Sequence, residues 1–328
     1  MLPQRTLGAK GPRVGAIGYG AMVLEGYYGA AGEPEAVRTI SRALDVGVNL
    51  LDTADAYGNG HNESLIAKAI GGRRGDVVVA TKFGIVFDPN ENGTEVPTGW
   101  GFSLRINGTP AYARRALDQS LRRLGIDTID LWYLHYADPA IPIEETVGAM
   151  AEAVRAGWVR YLGLSNVTAD QVRRAHAVHP IAAVQYEYSL WRREVETTLL
   201  PTLRELGIGL VPWSPLGSGF LTGTVTEIPE GDFRRNNPKF VGENFKTNLD
   251  RFAPFKDLAA GLGLTPAQLA LAWLLHQGDE IVPIPGTRKA ARIDENAKAA
   301  FADLDQATLK RIDELAPVGF AVGRTLVS

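Results

Sequence analysis

The chain has 328 residues, 45% of them apolar, no cysteine, and a formal charge of −3. Disulfides, thiolate nucleophiles and cysteine-ligated metals are therefore excluded, and the charge balance gives no general pull toward nucleic acid or an anionic membrane. The start, Met1-Leu2-Pro3-Gln4-Arg5, lacks the apolar core of a signal peptide, and no apolar run nears the ~20 residues of a membrane span, so the expectation is a soluble cytoplasmic protein.

In chain order, residues 4–15 read as a small hairpin with Gly8 to Gly11 in its turn. Ala16 to Tyr19 is a short strand, and a Gly-rich loop runs on to Gly32. Pro34 suits the first turn of a helix, with Val37, Ile40 and Leu44 on one face and Gly47 at its end. The strand Val48 to Asp52 follows. Asn62 is placed to cap a helix that buries Leu65, Ile66 and Ala69. Val77 to Lys82 is a β-branched run of the kind buried on both faces. Residues 83–108 form a loop too long for a routine connection. Thr109-Pro110 opens a helix with Ala113, Leu117, Leu121 and Leu124 on its stripe.

Strand Ile129 to Leu134 then delivers His135, and a helix starts at Glu144. Strand Val159 to Leu164 delivers Ser165-Asn166, and Thr168 caps a helix to Val178. Strand Ala182 to Val184 delivers Gln185. A helix spans 197–206 with Pro201 in its true first turn. Strand Ile208 to Pro212 delivers Trp213-Ser214, and a second long loop covers 215–246. Helices lie near 248–261 and 265–276. The last strand is Ile281 to Ile284, followed by a helix through Asn296 and a further one with Leu309, Ile312 and Leu315.

Eight strand-then-helix units after a hairpin predict an α/β fold: one (β/α)8 TIM barrel domain over residues 1–328, with an N-terminal β-hairpin. Long loops follow its third and seventh barrel strands, and an extra helix ends the chain. The rival is a doubly wound open sheet. That fold should carry a Gly-x-Gly-x-x-Gly turn, but Gly18-Tyr19-Gly20 is followed by Val23 where the third glycine belongs. No Gly-Lys-Ser/Thr phosphate loop exists either.

In a barrel, Asp52, Lys82 and His135 all leave strand ends on one rim, with Tyr57 on the adjoining loop. Asp52 can pair with Lys82, and that ammonium can favour ionisation of Tyr57, whose ordinary pKa of about 10 is high for an acid near neutrality. His135 can hydrogen-bond the same substrate oxygen. The set describes proton transfer to a developing alkoxide, with hydride coming from elsewhere. The plainer alternatives are a strand-end salt bridge for Lys82 and a hydrogen-bonded core histidine for His135. A metal site is poorly supplied, with His176 and His179 near a helix end and no third ligand in view.

These segments resemble the aldo-keto reductase family over nearly the full chain. Asp52-Thr53-Ala54-Asp55-Ala56-Tyr57 is similar to its Asp-Thr-Ala-x-x-Tyr signature. Val79-Ala80-Thr81-Lys82 and Asp130-Leu131-Trp132-Tyr133-Leu134-His135 are similar to its lysine and histidine segments. The resemblance implies Tyr57 as general acid, Asp52 and Lys82 tuning it, and His135 orienting a carbonyl.

The resemblance also implies a nicotinamide cofactor. Ser165, Asn166 and Gln185 would contact its carboxamide, and Trp213 would stack on the ring, an indole where tyrosine is commoner. Trp213 can equally be rim packing. Ser214, Pro215, Leu216, Gly217, Ser218 and Gly219 would run along the pyrophosphate, where small residues permit backbone approach. Gly20, Ala21 and Met22 join the cofactor site. Gly286, Thr287, Arg288, Arg292, Glu295 and Asn296 match the adenosine and 2′-phosphate segment. Arginine suits a phosphate, so NADPH is expected, with NADH as the weaker alternative.

Glu144-Glu145-Thr146-Val147 and Phe233-Arg234-Arg235 resemble the bacterial and plant branch with broad carbonyl substrates. Met22, Phe83, Phe87, Trp100 and Tyr136 are the candidates for the substrate pocket. The expected function is NADPH-dependent reduction of an aldehyde or ketone to an alcohol, able to run in reverse, with a small carbonyl or alcohol as the partner and no nucleic acid or membrane. Two alternatives stay open: a cofactor-binding regulatory subunit, and an aldolase using Lys82 as a Schiff base. The physiological substrate and the oligomeric state are not legible.

Overall fold

The computed structural model describes residues 1–29 and 32–326. A two-stranded hairpin comes first, β1 (Gln4–Thr6) against β2 (Arg13–Gly15). Then come β3 (Tyr19–Gly20), α1 (Glu33–Val46), β4 (Leu50–Asp52), α2 (His61–Ile70) and β5 (Val78–Phe83). A second hairpin pairs β6 (Thr94–Pro97) with β7 (Ser103–Ile106) before α3 (Pro110–Leu124), β8 (Ile129–Leu134) and α4 (Ile143–Arg155). The chain continues through β9 (Val159–Ser165), α5 (Ala169–Val178), β10 (Ile181–Glu187), α6 (Val195–Thr198), α7 (Leu200–Leu206) and β11 (Gly209–Trp213). It ends with α8 (Gly242–Gly261), α9 (Pro266–Leu275), α10 (Ala290–Lys298) and α11 (Gln306–Leu315). No single helix among the described residues is long and apolar enough to cross a membrane.

Seven strands form one parallel sheet in the order β11-β10-β9-β8-β5-β4-β3. The eighth staves of the barrel are residues 280–284, which bridge β11 and the first strand. Leu210 N donates to Glu280 O (2.9 Å), Ile284 N to Pro212 O (3.1 Å), and Gly18 N to Pro283 O (2.9 Å). Pro283 and Pro285 have no N–H to give a ladder, which explains why this segment closes the barrel without becoming a regular strand. The expected strand Ile281 to Ile284 is thus present as a bridged segment. The interior is filled by Leu50, Ala80, Leu131, Ala183, Val211 and Val282, with Leu7 and Val14 of the first hairpin packed against them. A larger apolar layer, including Ile40, Ile66, Leu117, Val147 and Trp273, lies between strands and helices.

Several expectations change in detail. Residues 83–108 are not a plain loop: β6 and β7 pair within them, and Val86 N donates back to Arg105 O (2.8 Å). Turn-forming glycines had hidden strands that β-propensity alone would have favoured. The helix expected over 197–206 is two, broken at Leu199 (φ −130°), with Pro201 in the first turn of α7. Helix α8 begins at Gly242, six residues before the expected 248, within the segment read as loop. Asn62 is not a cap. It is the second residue of α2 and fully buried, and Gly60 stands at the cap position.

Candidate active site

Parallel strands in a barrel all end on the same rim, and that topology assembles the site. β4 ends at Asp52, β5 carries Lys82 near its end, and His135 follows β8 directly. His135 N donates to Phe83 O (2.9 Å), which keeps β8 in register past its last residue. Tyr57 comes from the turn after β4.

Lys82 Nζ donates to Asp52 Oδ1 (2.6 Å), the Thr53 carbonyl (2.8 Å) and the Tyr57 hydroxyl (3.2 Å). Three donors meet three acceptors, as an ammonium requires. The second Asp52 oxygen accepts from Gln185 Nε2 at 2.7 Å. The edge of the Tyr57 ring faces His135, with centroids 6.0 Å apart, and Tyr136 stacks on the imidazole at 5.3 Å. His135 Nδ1 is buried with no hydrogen-bond partner among the described residues.

Burial dominates the electrostatics. It pushes the Asp52 carboxyl up, against the opposing pull of Lys82 and Gln185, and the Lys82 ammonium down, against the pull of Asp52. It raises the Tyr57 phenol well above its ordinary value, reinforced by the negative charge of Asp52. Lys82 was expected to favour ionisation of Tyr57, but the net direction is opposite: burial, with Asp52 adding to it, favours the protonated phenol. His135 is held well below its usual value, first by burial and then by Lys82, so the imidazole is neutral.

Asp52, Tyr57, His135 and Gln185 line a cavity of about 610 Å³, and Lys82 lies fully buried behind them. Of the residues expected around a cofactor, Gly20, Met22, Ser165, Asn166, Gln185 and Trp213 line it. So do Ser214, Pro215, Leu216, Ser218 and Gly219, and so do Gly286, Thr287, Arg288, Arg292, Glu295 and Asn296. Two do not. Ala21 is fully buried in the apolar layer, and Gly217 turns toward Trp191, whose ring leaves no room for a Cβ there. Of the substrate candidates, Met22, Phe87, Trp100 and Tyr136 line the cavity. Phe83 does not: it is fully buried and stacks on Trp132 at 4.5 Å, because strand alternation sends it outward to the helices. Tyr27, Tyr28, Phe102 and Leu326 also line the cavity and were not singled out in the sequence; Phe233, read there only as part of Phe233-Arg234-Arg235, lines it too. Their signal was weak: aromatics within glycine-rich loops, and a residue near the chain end.

The lining suits a long ligand with a planar ring at one end and phosphates beyond. Trp213 lines the same cavity as Tyr57, and its Nε1 donates to Asn166 Oδ1 (3.2 Å), while Asn166 Nδ2 donates to the His135 carbonyl (3.2 Å) and Ser165 Oγ (2.9 Å). The stretch after Trp213 coils through left-handed residues, Ser214 (φ 51°), Gly217 (56°), Ser218 (54°) and Gly219 (91°). Small side chains there let a ligand approach the backbone. Arg288, Lys289 and Arg292 add basic side chains to the same lining, with Arg292 paired to Glu295. No group of three or more metal-ligating side chains occurs among the described residues.

Fold and rim site together define a (β/α)8 barrel in which Asp52, Tyr57 and His135 share one cavity with Trp213, the 214–219 coil and Arg288. The aldo/keto reductase family model matches residues 16–317, and the chain belongs to that family. It is 42% identical to a soybean (Glycine max) protein named probable aldo-keto reductase 1 over 322 residues, 97% of this chain and 90% of that one. It is likewise 42% identical to the NADP(+) aldo-keto reductase yakc of Schizosaccharomyces pombe over 321 residues, 95% and 91% of the two chains. Among solved structures it superposes on a glycerol dehydrogenase of Gluconobacter oxydans with a TM-score of 0.84 at 29% identity, covering 95% and 94% of the chains. An aldo-keto reductase of Klebsiella pneumoniae in complex with NADPH gives 0.74 at 26% identity, covering 100% and 99%.

Proposed function

We propose that this chain is an NADPH-dependent reductase of aldehydes or ketones, also able to oxidise the corresponding alcohols. The observation that carries the reading is the 3.2 Å hydrogen bond from a buried ammonium, Lys82, to a cavity-facing phenol, Tyr57. The nicotinamide, when bound, supplies the hydride. Tyr57 gives its proton to the carbonyl oxygen as alkoxide charge develops there. Lys82 stabilises the phenolate that this leaves, and Asp52 keeps the ammonium aimed. His135, neutral, hydrogen-bonds the same oxygen and orients it.

The NADP(+) in the name of the S. pombe relative and the NADPH in the K. pneumoniae complex support the cofactor assignment, as do Arg288 and Arg292 in the lining of the groove. Ser165, Asn166 and Trp213 would hold the ring, and residues 214–219 the phosphates. A Schiff base on Lys82 is disfavoured. Its nitrogen is committed to three acceptors and is fully buried, so no lone pair is available to a substrate carbonyl.

The test is absorbance at the reduced-nicotinamide band with a panel of aldehydes, ketones and sugars, comparing NADPH with NADH and wild type with Tyr57→Phe. We expect wild type to consume NADPH and Tyr57→Phe to lose about a hundredfold to ten-thousandfold in turnover while still binding the cofactor. Turnover retained in Tyr57→Phe would remove the assigned acid. Tight NADPH binding without turnover of any member of the panel would favour a regulatory role instead.

A further inference from the structure

Directly after Tyr57 the backbone takes an uncommon path. Gly58, Asn59 and Gly60 all hold positive φ, at 56°, 52° and 89°. Glycine takes this region freely and Asn tolerates it, so the turn's path is open to these three residues and closed to most others. Two charged side chains from different elements lie against it. A Cβ on Gly58 would overlap Glu25 Oε2, and one on Gly60 would fall 2.5 Å from Arg123 Cδ. The two glycines are therefore seats for Glu25, at the end of the turn after β3, and Arg123, near the end of α3.

Each side chain is itself fixed. Glu25 accepts from Asn62 Nδ2 (2.8 Å) and faces His61 Nδ1 (3.0 Å). Asn62 also donates to the Ala21 carbonyl (3.1 Å) and accepts from Thr53 Oγ1 (2.7 Å). Arg123 Nε donates to Glu63 Oε2 (2.6 Å), and Glu63 Oε1 accepts from Thr81 Oγ1 (2.6 Å). Thr53 follows Asp52 and Thr81 precedes Lys82. Both anchors are thus referred back to the strand ends that carry the partners of Tyr57. Neither Glu25 nor Arg123 lines the cavity.

We infer that Glu25 and Arg123 are positioning residues, which clamp the Gly58–Gly60 turn and so set the Tyr57 hydroxyl within hydrogen-bonding distance of Lys82. This rests on the reading of Tyr57 as the proton donor. A flexible carboxylate could swing away from a new Cβ cheaply, but Asn62 and His61 hold this one in place. Loss of either clamp lets the phenol drift, and a displacement of about 1 Å can cost roughly a hundredfold in rate.

The test uses the full chain with four variants: Glu25→Ala, Glu25→Gln, Arg123→Lys and Tyr57→Phe. The measurements are kcat, KM for the carbonyl, NADPH dissociation by fluorescence, and the thermal midpoint. The inference expects Glu25→Ala to lower kcat about tenfold to a hundredfold with NADPH affinity within twofold of wild type. Glu25→Gln, which can still accept from Asn62, should recover most of that loss, and Arg123→Lys should lose kcat by several-fold. A double-mutant cycle adds Gly58→Ala to Glu25→Ala: the two losses should be less than multiplicative, because the first change vacates the space that the second needs.

Unchanged kcat in Glu25→Ala beside an inactive Tyr57→Phe would overturn the clamp and leave the proton donor standing. Parallel loss of kcat, NADPH affinity and thermal midpoint would also overturn it, because that pattern is general destabilisation. An active Tyr57→Phe would instead remove the reading on which the clamp rests.

Discussion

Lys82 Nζ lies 2.6 Å from Asp52 Oδ1, and both side chains are closed off from solvent. An ion pair so buried is costly to break from one side, because the remaining charge keeps its desolvation penalty without its partner. Lys82→Met should therefore destabilise the protein by about 3–5 kcal/mol at pH 7 and abolish turnover. Adding Asp52→Asn removes the orphaned charge and should restore much of the stability but none of the activity. Urea unfolding of the two variants checks this. A cost under about 1 kcal/mol for Lys82→Met would mean that the pair is not ionised in the folded protein.

The same pair shows what is legible in the sequence. Asp52, Lys82 and His135 could be placed together because strand ends in a parallel barrel share a rim, and Tyr57 followed from its short distance to Asp52 along the chain. The clamp on Tyr57 could not be read in this way. Asn62 looked like a helix cap because Asn before an apolar run usually is one. Its burial, and its bonds to Ala21, Glu25 and Thr53, depend on a loop from another strand reaching over α2. Phe83 was misplaced for a related reason. One residue along a strand reverses the face, and the alternation in Val77 to Lys82 is masked because both faces are apolar. Tyr27, Phe102 and Phe233 lay in three separate loops whose conformation the sequence does not carry, yet their rings meet over the cavity, Tyr27 and Phe233 at 5.5 Å and Phe102 and Phe233 at 6.1 Å.

Trp213 differs from a tyrosine in having an N–H along its ring edge, and that N–H donates to Asn166 Oδ1. The bond fixes the plane on which the nicotinamide is proposed to stack. Trp213→Phe keeps an aromatic face but frees it to rotate and leaves Asn166 Oδ1 without this donor. The loss of one hydrogen bond, about 0.5–1.5 kcal/mol, should weaken NADPH binding roughly twofold to tenfold. Calorimetry measures the affinity, and quenching of tryptophan emission by NADPH should shrink in the variant. Equal affinity and equal quenching would place the ring elsewhere in the cavity.

Arg288 and Arg292 both line the groove, and Arg292 is half-exposed and paired with Glu295 one turn away. Arg288→Ala should raise the NADPH dissociation constant about tenfold to a hundredfold, the range for a charge-assisted bond of about 1.5–3 kcal/mol, and leave NADH within twofold. Arg292→Ala should show the same preference for NADPH loss over NADH. A matched loss for both cofactors after Arg288→Ala would mean that this arginine does not meet the 2′-phosphate.

His135 makes a pH prediction with a definite sign. Burial and the Lys82 charge hold its folded pKa well below the ordinary value, whereas in the unfolded chain the imidazole titrates near 6.5. Above that pH both states carry it neutral, and its contribution to stability is fully present. As pH falls through 6.5 the unfolded chain takes up a proton that the folded site resists, so stability is lost progressively toward the folded pKa. Between pH 6.5 and 5, wild type should lose up to about 1.4 kcal/mol per pH unit more than His135→Asn. His176 is also shifted downward by burial, but it is common to both proteins and cancels in the comparison. Urea midpoints across that window provide the measurement. Parallel curves would show that His135 accepts a proton in the folded site as readily as in water, and a charged imidazole would then be the group facing the carbonyl.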